Sequence, residues 1–268
     1  MTLRLRFVLA GLALAAAVYL GLAMWQTHRR AALSGLTDAP CTAAGRSVTG
    51  NDYDDWGALC FYRAQNARLR ASGQRPEVVM IGDSITMGWP GQGAAVVNRG
   101  IGKQSSSQIL LRFIQDAAAL KPRVVHILAG TNDVAGTTGP VTPGQLEDNL
   151  RAMITLAQAR GLPVVLGTVP PAAGSRAGIA RVNTVIRRIA RNSHAVVLAD
   201  YHAVLANPDG TPKAGLLADG THPSPAGYAA MQPVFARAVR SAKAIAGKPV
   251  TSPPDALPPD SGKPPSSR

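Results

Sequence analysis

The residue that most directly suggests chemistry is Ser84, which follows a segment typical of a buried strand. Residues 78–81 are apolar throughout, and Gly82 and Asp83 separate them from Ser84. A side chain that follows the turn after a buried parallel strand lies at the strand's carboxyl end, where ligands bind in open α/β sheets. The hydroxyl of Ser84 is therefore a candidate nucleophile. The same residues also suit a helix N-cap, so other parts of the chain must decide between the two interpretations.

A second candidate group precedes the last predicted helix, in the segment Asp219-Gly220-Thr221-His222-Pro223. An acid and a histidine three residues apart on a proline-bounded loop can hydrogen-bond to each other. The carboxylate then fixes the imidazole tautomer and supports its positive charge, as a Ser–His–Asp triad requires. The alternative is that Asp219 is an ordinary turn residue and His222 a surface loop residue.

Two further loops contain groups that suit an oxyanion site. Residues 98–106 contain Gly100 and Gly102 just before a predicted helix, so backbone N–H groups are available to an anion. Asn132 follows a fully apolar strand and can donate a side-chain N–H to a developing oxyanion. Both features also occur in plain turns, and Asn132 suits an Asx cap.

The elements that would position these residues alternate between strands and helices. Five apolar segments have the length of strands, and they lie at residues 78–81, 95–97, 124–128, 164–169 and 195–198. Apolar spacing of helical period predicts helices at residues 56–69, 106–120, 143–160, 179–192 and 225–246. Strands that are apolar throughout are buried on both faces, as in a parallel sheet covered by helices. The predicted fold is α/β: a flavodoxin-like three-layer α/β/α sandwich with a five-stranded parallel sheet.

The four loops together resemble the SGNH hydrolases, the GDSL-type esterase and lipase superfamily. Gly82-Asp83-Ser84-Ile85 is similar to the first family block, with isoleucine in place of leucine. The second, third and fifth blocks are similar to Asn98-Arg99-Gly100-Ile101-Gly102, Gly130-Thr131-Asn132-Asp133 and Asp219-Gly220-Thr221-His222-Pro223. The resemblance covers residues 76–246, and the blocks occur in the family's order.

The resemblance implies a role for each matching residue. Ser84 would be the nucleophile and an oxyanion donor, His222 the general base, Asp219 its orienting partner, and Asn132 the side-chain oxyanion donor. Relatives often read Gly-Ile-x-Gly-x-Thr in the second block, and the last glycine of that pattern falls here on Lys103. The backbone donor from this loop is therefore either Gly102 or Lys103. A lysine at the mouth would favour an anionic substrate or obstruct a bulky one.

Composition narrows the classes of partner. The 268 residues carry a formal net charge of +13, which favours anionic partners such as membrane surfaces, acidic polysaccharide or nucleic acid. No dense basic run interleaved with aromatic residues indicates nucleic-acid binding, and no ligand spacing indicates a metal. We expect no cofactor and no metal, and a small-molecule, glycan or lipid ester as substrate.

The amino terminus predicts export. Arg4 and Arg6 precede an uncharged segment at residues 7–25, which is long enough to cross a bilayer as a helix. A basic start, an apolar core and the small-x-small segment Gly21-Leu22-Ala23 also fit a signal peptide. The prediction is an exported protein, either anchored in the inner membrane and facing the periplasm or exterior, or secreted after cleavage.

The remaining features define the predicted organisation. Cys41 and Cys60 are the only cysteines, and in an exported chain such a pair indicates one disulfide. We divide the chain into a signal or anchor (1–30), a linker with a short helical lead-in (31–75), the hydrolase domain (76–246) and a proline-rich disordered tail (247–268).

Three other polar residues are candidates of lower rank. His126 lies inside an apolar strand and is interpreted as a core residue. Asp200 and His202 form a second acid–histidine pair, but they lie away from the final helix.

The sequence therefore predicts an exported serine esterase that forms an acyl-serine intermediate. Two alternatives share the fold: an envelope O-acyltransferase, which differs only in the acceptor, and a non-catalytic envelope-binding protein.

Overall fold

The computed structural model describes residues 3–33, 41, 55–91, 93 and 95–246. Its helices are α1 (Leu3–Leu33), α2 (Arg63–Ala71), α3 (Ser84–Met87), α4 (Ser106–Asp116), α5 (Thr131–Ala135), α6 (Pro143–Gln158), α7 (Arg176–Asn192), α8 (Tyr201–Leu205) and α9 (Pro225–Ala246). Its strands are β1 (Val78–Gly82), β2 (Val96–Gly100), β3 (Val124–Leu128), β4 (Val164–Gly167) and β5 (Val196–Ala199).

The five strands form one parallel sheet in the order β2-β1-β3-β4-β5, which confirms the predicted flavodoxin-like architecture. Successive side chains of a strand point to opposite faces. Val79 and Ile81 accordingly pack with α4, α6 and α7, while Val78 and Met80 pack with α8 and α9. The order reverses between β1 and β3, and the crevice at such a reversal is the usual ligand site of these sheets.

Several predicted boundaries were wrong for local physical reasons. The helix predicted at residues 56–69 begins only at Arg63, because the carboxylate of Asp55 accepts from the N–H groups of Leu59 and Cys60 at 2.7 and 2.9 Å and holds this stretch in turns. The helix predicted at residues 106–120 ends at Asp116, and a 3-10 turn, Ala118–Leu120, follows. The strand predicted at 164–169 ends at Gly167, and the one predicted at 95–97 continues to Gly100.

Two features lie outside the sheet domain. Within α1, Leu9–Thr27 is long and apolar enough to cross a membrane, and no part of it is buried. A disulfide joins Cys41 to Cys60, with their Cα atoms 5.4 Å apart. The predicted tail at residues 247–268 and most of the predicted linker lie outside the described residues.

Candidate active site

Ser84 is the first residue of α3, directly above the carboxyl end of β1. The N-cap is Asp83 rather than Ser84, because Asp83 Oδ1 accepts from the N–H of Ile85 at 2.9 Å. The hydroxyl of Ser84 is thus left for another partner. The two glycines at the strand ends permit this close packing: a Cβ on Gly82 would lie 2.3 Å from the carbonyl oxygen of Leu128, and one on Gly100 would lie 2.1 Å from the N of Met87.

His222 and Asp219 lie on the loop before α9 and reach the same point. His222 Nε2 is 2.9 Å from Ser84 Oγ, and His222 Nδ1 is 2.7 Å from Asp219 Oδ2. The other carboxylate oxygen, Oδ1, accepts from the backbone N–H groups of His222 and Thr221 at 2.8 and 3.0 Å. The structure therefore brings together the three residues that the sequence predicted as a triad.

The charge of Asp219 determines the imidazole tautomer. The pKa of Asp219 is lowered to about 2, mainly by the hydrogen bond from the backbone N–H of His222 and next by the hydrogen bond from the His222 side chain. An ionised carboxylate can only accept, so Nδ1 is the protonated nitrogen. Nε2 is then the acceptor that faces the hydroxyl of Ser84, which is the arrangement a general base needs.

The loop after β2 and the residue Asn132 follow the two strands that flank β1, whose carboxyl end carries Ser84. Asn132 Nδ2 donates to the carbonyl oxygen of Gln104 at 3.0 Å, and its Oδ1 accepts from Thr137 Oγ1 at 3.2 Å. These two bonds fix the amide orientation and leave one N–H of Nδ2 available. Across the described residues, the backbone N–H groups of Gly102 and Lys103 have no acceptor.

The backbone distinguishes Gly102 from Lys103. Lys103 has φ +64°, in the left-handed region that favours glycine, whereas Gly102 does not. A Cβ added at Gly102 would lie 3.8 Å from Met87 Cε, an ordinary van der Waals distance, so this position does not require glycine for space. Lys103 thus occupies the position whose conformation suits glycine, and its side chain is exposed.

Arg112, which sequence reasoning missed, holds together the ends of β1 and β2 and the loop after β2. Its fully buried guanidinium donates to the carbonyl oxygens of Gly82 and Arg99 at 2.8 and 2.7 Å and to Gln104 Oε1 at 2.5 Å. Asp116, one turn along α4, supplies the counter-charge at 3.3 Å. Burial lowers the pKa of Arg112 and raises that of Asp116. The available signal was an i,i+4 Arg–Asp pair on the apolar face of α4.

Two buried acids support the same loops. Asp133 accepts from the backbone N–H and the hydroxyl of Ser106 at 2.9 and 2.5 Å, which ties the start of α5 to the start of α4. Asp83 is fully buried, and desolvation raises its pKa to about 6. Sequence reasoning assigned no separate role to either acid.

The lower-ranked candidates lie elsewhere. Asp200 pairs with the guanidinium of Arg187 at 3.0 Å and accepts from Thr168, and no side-chain hydrogen bond joins it to His202 among the described residues. His126 is fully buried, with Nε2 2.8 Å from the hydroxyl of Tyr201, and burial lowers its pKa to about 3. Within the described ranges, no group of three or more His, Cys, Asp or Glu residues is placed to hold a metal ion.

The chain matches one family of known proteins. A model of the GDSL-like lipase/acylhydrolase family matches residues 80–230, which include all four loops described above. No curated protein is significantly similar in sequence to the chain.

Several solved structures are similar to it. A GDSL-like lipase from Bacteroides thetaiotaomicron is 30% identical, with a TM-score of 0.64, over 70% of this chain and 99% of that protein. A protein from Bacteroides fragilis that is assigned as an acylhydrolase gives the same values. An acetyl xylan esterase from Geobacillus stearothermophilus is 23% identical, with a TM-score of 0.53, over 60% of this chain and 93% of that protein, and it shows a shared fold.

The family model covers more than half of the chain, and the two Bacteroides structures match over almost their whole length. The chain is therefore a hydrolase that belongs to the GDSL-like lipase/acylhydrolase family of the SGNH superfamily.

Proposed function

We propose that this protein hydrolyses carboxylic esters through an acyl-serine intermediate on Ser84. The observation that carries the proposal is the continuous chain Ser84 Oγ–His222 Nε2 and His222 Nδ1–Asp219 Oδ2, with distances of 2.9 and 2.7 Å. In family terms this is the arrangement of a serine hydrolase, and it meets the geometric requirement for a nucleophile and its base.

In the first half of the reaction, Ser84 Oγ attacks the ester carbonyl carbon while its proton moves to His222 Nε2. The carbonyl oxygen becomes an oxyanion, for which the N–H groups of Ser84 and Lys103 and the amide of Asn132 are the proposed donors. The intermediate collapses as the carbon–oxygen bond to the alcohol breaks and the imidazolium gives its proton to the leaving oxygen. Each oxyanion donor typically contributes about 10²–10³-fold to such a step.

In the second half, water attacks the acyl-serine. His222 Nε2 takes a proton from the water, and the second oxyanion forms in the same site. The bond between the acyl carbon and Ser84 Oγ then breaks as the imidazolium gives its proton to Ser84 Oγ. Asp219 stays ionised throughout, because its pKa is about 2, and it stabilises the imidazolium in both halves.

The exposure of the site favours an ester carried on a large, water-soluble molecule. The side chains of His222 and Asp219 are 40% and 58% exposed, so the triad lies at the surface. A shallow site accepts a bulky alcohol portion, such as a glycan, whereas a long acyl chain needs a deep apolar cavity to be sequestered from water. We propose short-acyl esters, with O-acetylated glycans among them, as the substrate class.

The location proposed for this activity is outside the cytoplasm. The apolar window Leu9–Thr27 supports either a membrane anchor or a signal peptide, and we propose the anchor because the apolar segment continues through Met24 and Trp25. A disulfide between Cys41 and Cys60 suits an oxidising compartment.

The test is hydrolysis of a series of nitrophenyl esters with acyl chains from two to sixteen carbons. We expect kcat/KM to be highest for acetyl and to fall with chain length, and Ser84→Ala to remove turnover at every length. A profile that peaks at long chains would contradict the short-acyl proposal. Wild-type turnover in the Ser84→Ala variant would contradict the proposed mechanism.

A further inference from the structure

A basic depression lies at the edge of the sheet opposite the proposed active site. It has a volume of about 450 Å³ and a floor of Ala118, Ala119 and Leu162. Its rim carries Arg75, Lys121 and Arg160, which precede β1, β3 and β4 respectively. Since these three strands are parallel neighbours, the segments before them meet at the amino-terminal edge of the sheet, whereas Ser84 and Asn132 follow the carboxyl ends.

Two of the three rim cations, Arg75 and Arg160, are held in place by carbonyl oxygens, which do not neutralise them. Arg75 Nε donates to the carbonyl oxygen of Lys121 at 2.8 Å, and Arg160 Nη1 donates to that of Leu156 at 3.2 Å. These acceptors carry no formal charge, and no carboxylate in the described part of the chain forms an ion pair with any of the three. Glu77, the acid closest in sequence to Arg75, pairs instead with Arg123 and Lys243.

Cationic and anionic residues in the connecting segments are distributed unevenly between the two edges of the sheet. At the carboxyl edge, with the short helices α5 and α8 counted together with their loops, they contain two lysines, Lys103 and Lys213, and five carboxylates: Asp83, Asp133, Asp200, Asp209 and Asp219. At the amino edge they contain one carboxylate, Glu77, and four cations: Arg75, Lys121, Arg123 and Arg160. The domain is therefore polarised along the strand direction, and its amino edge attracts anions.

If α1 is the membrane anchor proposed above, a short tether keeps the domain near the membrane, and the inference rests on that proposal. Helix α1 ends at Leu33, and Cys41, eight residues later, is covalently joined to Cys60, whose neighbour Leu59 accepts from Gln115 Nε2 of α4 at 2.7 Å. Eight residues span at most about 28 Å when fully extended. The domain then stays within reach of the lipid headgroups, whose anionic members attract clustered Lys and Arg.

We propose that the depression bounded by Arg75, Lys121 and Arg160 binds the phosphate groups of anionic membrane lipids. Docking at the amino edge turns Ser84 and the carboxyl edge away from the bilayer. The proposed catalytic site then faces substrates in the aqueous phase rather than lipids of the same membrane.

The test measures lysine accessibility in the full chain, reconstituted into nanodiscs of phosphatidylcholine with or without 30% phosphatidylglycerol. Reductive methylation with formaldehyde and a borohydride reports each lysine by mass spectrometry, and unlike an ester reagent it does not react as a substrate. We expect methylation of Lys121 to slow at least threefold in the anionic discs and to recover in 0.5 M NaCl, because salt screens such contacts. Methylation of Lys103, at the opposite edge, should be the same in both discs.

Matched variants separate this site from overall basicity. Arg75→Gln with Arg160→Gln should abolish the protection of Lys121, whereas Arg237→Gln with Arg240→Gln, which removes two exposed arginines of α9, should preserve it. Hydrolysis of a soluble nitrophenyl ester checks that each variant is folded. Equal methylation of Lys121 in both discs, or protection of Lys103 instead, would overturn the proposal.

Two further arms identify the source of the anion and the state of the anchor. Protection of Lys121 by millimolar inorganic phosphate or by an acidic polysaccharide, without protection by anionic discs, would overturn the assignment to a membrane. A chain that does not remain with the discs in 1 M NaCl would show that the anchor is wrong. The released protein is then mixed with vesicles of the same two compositions, where protection of Lys121 by phosphatidylglycerol supports the docking site and its absence overturns it.

Discussion

The guanidinium of Arg112 donates from Nη2 to the carbonyl oxygen of Gly82 across 2.8 Å, two residues before Ser84. The same group also holds the carbonyl oxygen of Arg99 and the side chain of Gln104. One buried side chain thus connects the end of β1, which carries Ser84, with the end of β2 and the loop that contains Lys103. We infer that Arg112 is a positioning residue for the nucleophile and the oxyanion loop.

Arg112→Lys should therefore reduce kcat by about 10²-fold, because small displacements of reacting groups are costly. An ammonium keeps the charge opposite Asp116 but cannot reach three separate acceptors in the geometry of a guanidinium. We expect KM for a small neutral ester to change little and the free energy of unfolding to fall by about 1–3 kcal/mol.

Arg187→Lys is the matched control, because it alters the Arg–carboxylate pair with Asp200 away from the oxyanion loop. Steady-state kinetics well below the Tm of each variant separate positioning from stability. If Arg112→Lys lost stability but kept the wild-type kcat, Arg112 would be a structural residue only.

The triad makes a second prediction. Ser84→Ala and His222→Ala should each remove nearly all turnover, and the double variant should be little worse, because residues that act as a unit are strongly non-additive. Asp219→Asn should retain more activity than either single variant, since the carboxylate orients the imidazole without taking the proton. His202→Ala should have near wild-type kcat/KM. The reverse result, an inactive His202 variant with an active His222 variant, would show that the base has been assigned wrongly.

The parts of this site that could be predicted from sequence are those that depend on local chemistry. Ser84, Asn132 and the Asp219–His222 pair each follow a recognisable strand or precede a helix. Their residue types and their order along the chain were therefore enough to predict them. Arg112 was missed because its role depends on how α4 lies against two strand ends, which no local pattern records. The end of α4 at Asp116 was missed for the same reason, since apolar spacing continues through the 3-10 turn Ala118–Leu120.

The left-handed backbone at Lys103 makes a third prediction. Lys103→Gly should keep the N–H that we propose as an oxyanion donor, and it should relieve strain of up to about 1–2 kcal/mol, partly offset by the greater chain entropy of glycine when unfolded. Turnover of a neutral ester should therefore be unchanged or slightly higher. For an ester that carries a carboxylate, kcat/KM should fall severalfold, because the exposed ammonium is lost.

Lys121→Gly is the control for Lys103→Gly, because Lys121 also has a left-handed backbone, with φ +51°, and lies at the opposite edge of the sheet. Both variants should change thermal stability in the same direction, but only Lys103→Gly should change the ratio of kcat/KM between charged and neutral esters. An unchanged ratio would contradict a role for Lys103 in recognising anionic substrates.

The last prediction concerns Asp83. Burial of its carboxyl group raises the pKa from 3.8 to about 6. The folded protein then binds this proton more tightly than the unfolded chain does. The contribution of Asp83 to stability is thus full below about pH 4 and is lost as pH rises through about 6. Asp83→Asn keeps the Oδ1 that caps α3 but does not titrate. Relative to wild type, this variant should gain stability between pH 4 and 7, on the order of 3 kcal/mol for a shift of this size.

Urea unfolding of both proteins at intervals between pH 3 and 8 measures this difference. Asp219→Asn provides a control of opposite sign, because the folded pKa of Asp219 is lowered to about 2. The stabilising contribution of Asp219 is present above about pH 4 and is lost as pH falls towards 2, so that variant should approach wild-type stability only in acid. If the stability difference between wild type and Asp83→Asn were the same at pH 4 and pH 7, the Asp83 carboxyl would not be the titrating group that limits stability at neutral pH.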